Sequence, residues 1–353
     1  MRRFLLVSLC LAAFAVPAAG ATITVPGDYD TIQEATDAAE NGDVIKVKSG
    51  VYRETVEIVM LEDITLKAVG KVTIDGEGVR DCLRIGLCTG VTVIGFDIVN
   101  SGDNGIYIAA AEDVRVTKCR IQDSGEAGVW VTSGRDIRID KCRIERSAFY
   151  GVAVLDGEGA PVSMRVTIEK CRIDTTDSTG IRVGGEDHVV QKNRIDNAGS
   201  DGIMMSAADS LCAKNRIDDA DGHGIYVTAP TVRVEKNTIS GAQGDGVSVG
   251  NPYCEILKNK IRDVLGQGID LESDFTLIEK NKVLGPGGDG IEVDGFENII
   301  QKNLVKDSAD SAFRLHQGGN RIIRNKAKKC ETDVQDADPS NNTYEKNSFD
   351  PPT

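Results

Sequence analysis

Residues 191–225 read QKNRIDNAGSDGIMMSAADSLCAKNRIDDADGHGI, so the phrase QKNRIDNAGSDGI returns 22 residues later as AKNRIDDADGHGI. Extended along the chain, the phrase places Asn at 193, 215, 237, 259, 281, 303, 325 and 347, always 22 apart. Cys171, Cys142 and Cys119 hold the same place upstream, at steps of 29 and 23. A second column is a Gly before an apolar residue, from Gly105, Gly128 and Gly151 through Gly224 and Gly246 to Gly290, with Ala312 closing it. Self-similarity at this period is the signature of a repeat architecture.

One unit, TVRVEKNTISGAQGDGVSVGN (231–251), shows what each copy builds. Val232 and Val234 alternate with polar neighbours, Ile239 follows the Asn by two, and Val247 and Val249 alternate again. That is three short period-two strands, rich in β-branched residues that suit a pleated, half-buried surface. A leucine-rich repeat shares the period, but it expects Leu in these columns and a helical return, whereas the return here is G-[IV]-x-[VL], itself a strand. The expected fold is therefore all-β: a single-stranded parallel β-helix of three parallel sheets, about 22 residues per rung, with successive turns about 4.8 Å apart. The Asn column is assigned to the left-handed position of a tight bend, with each amide bonded to the next Asn up the stack.

Both ends of such a stack need covering. DTIQEATDAAENGD (30–43) offers Asp30 or Thr31 as an N-cap and Ile32, Ala35, Ala38 and Ala39 at helical spacing, which predicts an α-helical cap. SFDPPT (348–353) cannot continue a sheet. Upstream, a basic start, an apolar run from Phe4 to Val16 and small residues near Gly20 and Ala21 predict a secretory signal peptide. The organisation read from this is 1–21 signal peptide, 22–70 capping segment and first rungs, and 71–353 repeats with a C-terminal cap. The expected location is secreted or periplasmic, with no membrane insertion, since no later stretch approaches eighteen uncharged residues. A formal charge of −14 disfavours nucleic acid as a partner.

The repeats, together with TIQEATDAAENGDVIKVKSGVYRETVEI (31–58) and its G-x-Y-x-E at Gly50, Tyr52 and Glu54, resemble the right-handed β-helix superfamily. That superfamily, the pectin lyase-like group, includes pectate lyases, polygalacturonases, pectin methylesterases, alginate epimerases and a periplasmic NosD-like branch. The resemblance implies a right-handed coil and a polysaccharide partner, met on the G-[IV]-x-[VL]-x strand and the loop before it. It covers roughly residues 22–349 and is weak for activity. The Q-A-V-A, D-F-I-F-G and L-G-R-P-W phrases of methylesterases and the D-P-H-D of mannuronan epimerases are absent.

Alternation along that strand puts Tyr107, Trp130, Ala153, Arg182, Met204 and Tyr226 in one outward column, followed by Ser248, Asp270, Glu292 and Arg314. A second outward column ends in Glu272, Asp294 and His316. Stacked carboxylates so close raise one another's pKa or capture a cation, the raw material of acid–base or Ca²⁺-assisted chemistry. Asp270, Glu292, Arg314 and His316 are the catalytic candidates, Arg314 or His316 being the base for a lyase or epimerase, and Glu272 and Asp294 are the metal candidates, with Ca²⁺ as the cation. Tyr107, Trp130, Arg182 and Tyr226 are the substrate-binding candidates, since exposed rings offer apolar faces to sugars. The same residues also fit a solvated face of an acidic protein, and the short bends leave no long loops to wall a cleft. The sequence thus leaves an enzyme (lyase, epimerase or glycosidase), a glycan-binding solenoid and a NosD-like envelope accessory module as readings, and the oligomeric state open.

Cys82 and Cys88 are close enough in sequence to bridge, and Cys119, Cys142 and Cys171 either bridge or pack as small apolar residues. His223, between Asp201 and Asp245 in its column, reads as a solvated turn residue.

Overall fold

The computed structural model describes residues 20–349; nearly all of the predicted signal peptide, residues 1–19, and the last residues, 350–353, lie outside them. Between these limits the chain coils through three columns of parallel strands. One column is a thirteen-stranded sheet running from Val56–Val59 to Thr332–Asp336. The other two, Arg233–Glu235 and Thr238–Ser240 in one turn, belong to a single 26-stranded sheet. They join because the early strands Val44–Tyr52 and Thr65–Asp75 are long enough to run through both columns. Register follows the repeat: Ile217 pairs with Ile239 and Ile239 with Ile261, 22 residues apart.

Inward residues of all three columns meet in one core, where Val234, Ile239 and Val247 are each fully buried. Burial of such side chains contributes roughly 1.5–3 kcal/mol apiece, and a stack adds this once per turn. A short helix, Ile32–Asp37, is capped by the Thr31 side chain with Glu34 closing a capping box, and it buries Ile32 and Ala35. It is shorter than the 30–43 span that predicted it. Glu54 of the G-x-Y-x-E phrase accepts from the N–H groups of Ile32 (3.1 Å) and Gln33 (2.8 Å), so this Glu is structural. At the other end Phe349 packs on Phe313, ring centres 6.1 Å apart.

The Asn column forms the expected ladder. Asn237 Oδ1 accepts from the N–H (2.8 Å) and Nδ2 (3.1 Å) of Asn215, while its own Nδ2 donates to the Cys212 carbonyl (2.9 Å) and to Asn259 Oδ1 (3.1 Å). The left-handed residue is the one before each Asn, a Lys on every turn but that of Arg324, and not the Asn: Lys214, Lys236 and Lys258 have φ of 58°, 56° and 57°. The Asn needs both its N–H and its amide inside the stack, so the preceding residue takes the bend and leaves its long side chain in water. A second, shorter ladder runs through Thr276, Asn298, Asn320 and Asn342, with side-chain acceptors 2.7–2.9 Å from the N–H one turn below.

The Gly column has a steric cause. A Cβ on Gly224 would lie 2.4 Å from Ile239 Cγ2 and 2.7 Å from the Gly246 carbonyl, closer than atoms pack. Gly224→Ala is expected to lower stability by about 1–3 kcal/mol, as overpacking does, read as a lower urea midpoint with unchanged m-value.

Among the described residues all eight cysteines are free, which corrects the bridge expected between Cys82 and Cys88. Cys119, Cys142 and Cys171 pack in the bend column at 2% exposure each, the small-apolar alternative. Burial pushes the Cys82 and Cys212 thiols up to about 12, far from the thiolate that reacts. No helix of the described residues is long and apolar enough to cross a membrane.

Candidate functional site

The strand Ile269–Leu271 sits in the thirteen-stranded sheet between Val247–Val249 and Ile291–Val293. Its apolar residues Ile269 and Leu271 are fully buried, which turns Asp270 outward. Register then places Asp270 beside Glu292, and Glu292 beside Arg314. The rest of the outward column is also in register, Tyr107 beside Trp130 and Met204 beside Tyr226. Ala153 and Ser248, outward by alternation, are covered by their neighbours.

Asp270 carries the largest carboxylate perturbation on this face. Its pKa is pushed up to about 7, first by burial and then by repulsion from Asp245, Glu272, Glu292 and Asp294. Glu292 is held on both oxygens: Oε2 accepts from Gln267 Nε2 at 2.6 Å, and Oε1 lies 2.9 Å from His316 Nε2. His316 Nε2 is also 3.6 Å from Asp294. Neighbouring strands thus present one carboxyl that keeps its proton to higher pH than an ordinary Asp and one carboxyl group anchored on both oxygens.

Arg314, read from the sequence as a base, instead faces the buried Asp289. Its Nε is 2.6 Å from Asp289 Oδ2, though off the line of a hydrogen bond, and this ion pair occupies it. Glu292, Asp294 and His316 bring ligand atoms within 4.8 Å of one another, a group that does not include Glu272. Ca²⁺ takes six to eight oxygens, and two carboxylates with an imidazole suit a transition metal better. This trio fits the expected Ca²⁺ poorly.

The four binding candidates are half-buried, and Trp130 and Arg182 share Tyr150 as a neighbour. Tyr107 lies under Arg84, whose guanidinium carbon is 5.8 Å from the ring centre. Trp130 meets Tyr150 edge-on at 6.1 Å, and Arg182 donates to the Tyr150 hydroxyl at 2.8 Å. Tyr226 lies by His223, ring centres 5.2 Å apart. Six strand spacings of about 4.8 Å put Trp130 roughly 29 Å from Asp270 along the stack.

What sequence reasoning missed is the residue just before each column Gly. There Asp245 Oδ1 accepts from the Gln267 N–H (2.7 Å) and Asp289 Oδ1 from the Ser311 N–H (2.8 Å). Asp245 is 8% and Asp289 4% exposed, so this acidic column is built into the wall beside Asp270 and Arg314. His223 belongs to the same column and is not a plain solvated turn residue. Its Nδ1 lies 3.1 Å from both the Asp245 backbone nitrogen and Asp245 Oδ2, and the Asp245 carboxylate holds its pKa above the usual histidine value. The 22-residue step from 201 through 223, 245, 267 and 289 was the signal for it.

The chain matches the NosD model, described as a periplasmic copper-binding protein, over residues 226–350. Among curated proteins no sequence matches. Among solved structures, the Siphovirus 9NA tailspike receptor binding domain is similar with a TM-score of 0.65 and 12% identity, over 92% of this chain and 76% of that one. The PL6 family alginate lyase AlyGC gives 0.67 and 17% over 92% of this chain but only 53% of its own. The catalytic domain of a GH87 alpha-1,3-glucanase in complex with nigerose gives 0.54 and 11%, over 94% and 70%. At these identities the likeness is one of fold. The model described as the right handed beta helix region matches residues 48–163 and 155–285, more than half of the chain, and the protein belongs to that right-handed β-helix family.

Proposed function

We propose that this protein works outside the cytoplasm on a polysaccharide, bound along the outward face of the thirteen-stranded sheet, and that Asp270 and Glu292 hydrolyse a glycosidic bond there. The observation that carries this is the unequal pair on adjacent strands: Asp270 with its pKa near 7, Glu292 anchored by Gln267 and His316. Asp270 gives its proton to the glycosidic oxygen as the C1–O bond breaks, and the Glu292 carboxylate attacks C1. Water then displaces Glu292, losing its proton to Asp270. Strand spacing of about 4.8 Å suits the closer carboxyl separation of retaining enzymes, so the anomeric configuration is kept. A lyase or epimerase is less well served, since it needs a free base and a cation for the uronate, and of the two base candidates Arg314 is engaged by Asp289 and His316 by Glu292. Structural neighbours named as an alginate lyase and an alpha-1,3-glucanase support a glycan as partner.

Incubated with pectate, alginate and neutral glucans, the protein is expected to release new reducing ends on one of them without unsaturated, ultraviolet-absorbing ends. Chelation with EDTA should leave the rate within about twofold, because the acid, the nucleophile and the proton path are all side chains. Unsaturated ends, or a rate abolished by EDTA and restored by Ca²⁺, would overturn hydrolysis in favour of a lyase.

A second reading, a non-catalytic envelope accessory module, is favoured by the NosD match, which spans the acidic end of the stack. In it Glu292, Asp294 and His316 would hold a metal ion. No turnover on any polymer, with metal retained through gel filtration by the wild type and lost from His316→Ala, is the result that selects it.

A further inference from the structure

We propose that Tyr253, Phe275 and Phe296 form a binding platform for the sugar rings of a neutral glycan, next to Asp270 and Glu292. The inference rests on the hydrolase reading for its setting and on separate observations for its substance.

The first is where the rings stand. Tyr253 and Phe275 occupy the left-handed position of the bend that follows the catalytic-face strands, with φ of 61° and 53°. Elsewhere in this column the same conformation is taken by Gly90 and Gly319 or by polar residues, among them Asp113, Asp136, Arg165, Asp187, Asp209 and Thr231. Asp and Gly adopt left-handed backbone more readily than aromatic residues, and no other turn of this column puts a ring there, so the repeat gives no reason for Tyr and Phe on two consecutive turns. Strain kept where a better-suited residue would serve points to a use for the side chain.

The second is exposure with order. Tyr253 is 59%, Phe275 47% and Phe296 50% exposed, whereas the rings read from the sequence as sugar platforms are half-buried. Tyr253 and Phe275 stack at 5.4 Å with planes 9° apart. The Phe296 N–H donates to Asp274 Oδ1 at 2.8 Å, the Phe275 N–H to the Phe296 carbonyl at 3.2 Å and the Tyr253 N–H to the Asp274 carbonyl at 3.4 Å, which ties the three bends together. An apolar surface fixed before a ligand arrives loses little entropy on binding.

The third is position and charge. The three rings follow the strands that carry Ser248, Asp270 and Glu292, so Phe275 is five residues from Asp270, at most about 17 Å of chain. Glu272, Asp274, Asp294 and Glu297 flank Phe275 and Phe296 along the chain. Such a rim repels uronate or sulfated sugars and an anionic membrane alike, and leaves neutral pyranose rings as the ligand that apolar faces beside carboxylates accept.

The test uses the full mature chain and two probe sets of equal length: neutral glucan oligosaccharides with α-1,3 and β-1,4 linkages, and oligouronates. Calorimetric titration is expected to show neutral oligosaccharides binding the wild type and binding Tyr253→Asp/Phe275→Asp at least about tenfold more weakly. These substitutions install the residue most common in the column, so thermal stability should be equal or higher. Neutral-glucan affinity within about twofold of wild type in the double variant overturns the platform, as does binding of oligouronates alone. Concentration-dependent self-association that disappears in the double variant would overturn it too, by making the rings a contact between copies. If neutral glucan binds, binding falls in the double variant and no bond is cut, the platform stands and the hydrolase reading fails. If Asp270→Asn stops turnover while the double variant binds as wild type, the reverse holds.

Discussion

Asp270→Asn is expected to cut polymer hydrolysis by about two to four orders of magnitude while glycan affinity stays within about twofold. The amide keeps the shape and removes the transferable proton, so a loss confined to turnover identifies an acid and not a contact. The wild-type rate should fall as pH rises through about 7, because Asp270 is useful only while protonated. Stability gives an independent readout with its own sign. The folded-state pKa of Asp270 lies above its unfolded value, so the folded chain binds the extra proton and loses stability as pH climbs from about 4 to about 7. A neutral amide carries no such penalty, and Asp270→Asn should therefore be more stable than wild type at pH 8, by about 1–2 kcal/mol after allowance for solvent screening, and equal to it at pH 4. Calorimetric melting at the two pH values measures this directly. A variant that hydrolyses polymer at the wild-type rate would falsify the assignment of the acid.

The parts of this molecule that were legible in the sequence are those dictated by one-dimensional periodicity. A 22-residue step becomes a vertical neighbour once each turn lies on the last, so the pairing of Asp270 with Glu292 and of Met204 with Tyr226 followed from counting. What counting does not convey is which way the chain turns between strands. That is why the Asn was given the left-handed position that Lys236 takes, and why the bend residues Tyr253 and Phe275 went unread. Alternation also says nothing about partners reached sideways: Arg314 looked free on its strand but meets Asp289 from the preceding bend. Tyr150, which binds Arg182, lies just before a column Gly and was passed over for the same reason. The cysteines show a further limit, since Cys82 and Cys88 are six residues apart in sequence yet each is buried as a free thiol.

Asn237→Ala is expected to cost about 3 kcal/mol of stability, a large effect for one side chain in the middle of the stack. Four interactions disappear together: the acceptor for the buried Asn215 N–H at 2.8 Å, the acceptor for Asn215 Nδ2, and the donors to the Cys212 carbonyl at 2.9 Å and to Asn259 Oδ1 at 3.1 Å. A buried N–H left without a partner costs about 1–3 kcal/mol by itself, and the emptied volume adds to that. Because each turn touches only its neighbours, the damage should be local: amide exchange speeds up at Asn215 and its flanking strands, while turns near Val56–Val59 keep their protection. Asn237→Asp separates the two halves of the role. It keeps the oxygens that accept from Asn215 but turns a carboxylate toward the Cys212 carbonyl and Asn259 Oδ1, where Asn237 had donated. A buried acid there has a raised pKa, so the variant should be tolerated best at low pH, where its O–H donates in place of the amide, and lose stability as pH rises. Urea melts of both variants at pH 4 and pH 8 test this. If Asn237→Ala stays within about 0.5 kcal/mol of wild type, the ladder is an ornament of the repeat and the core alone sets the rise from turn to turn.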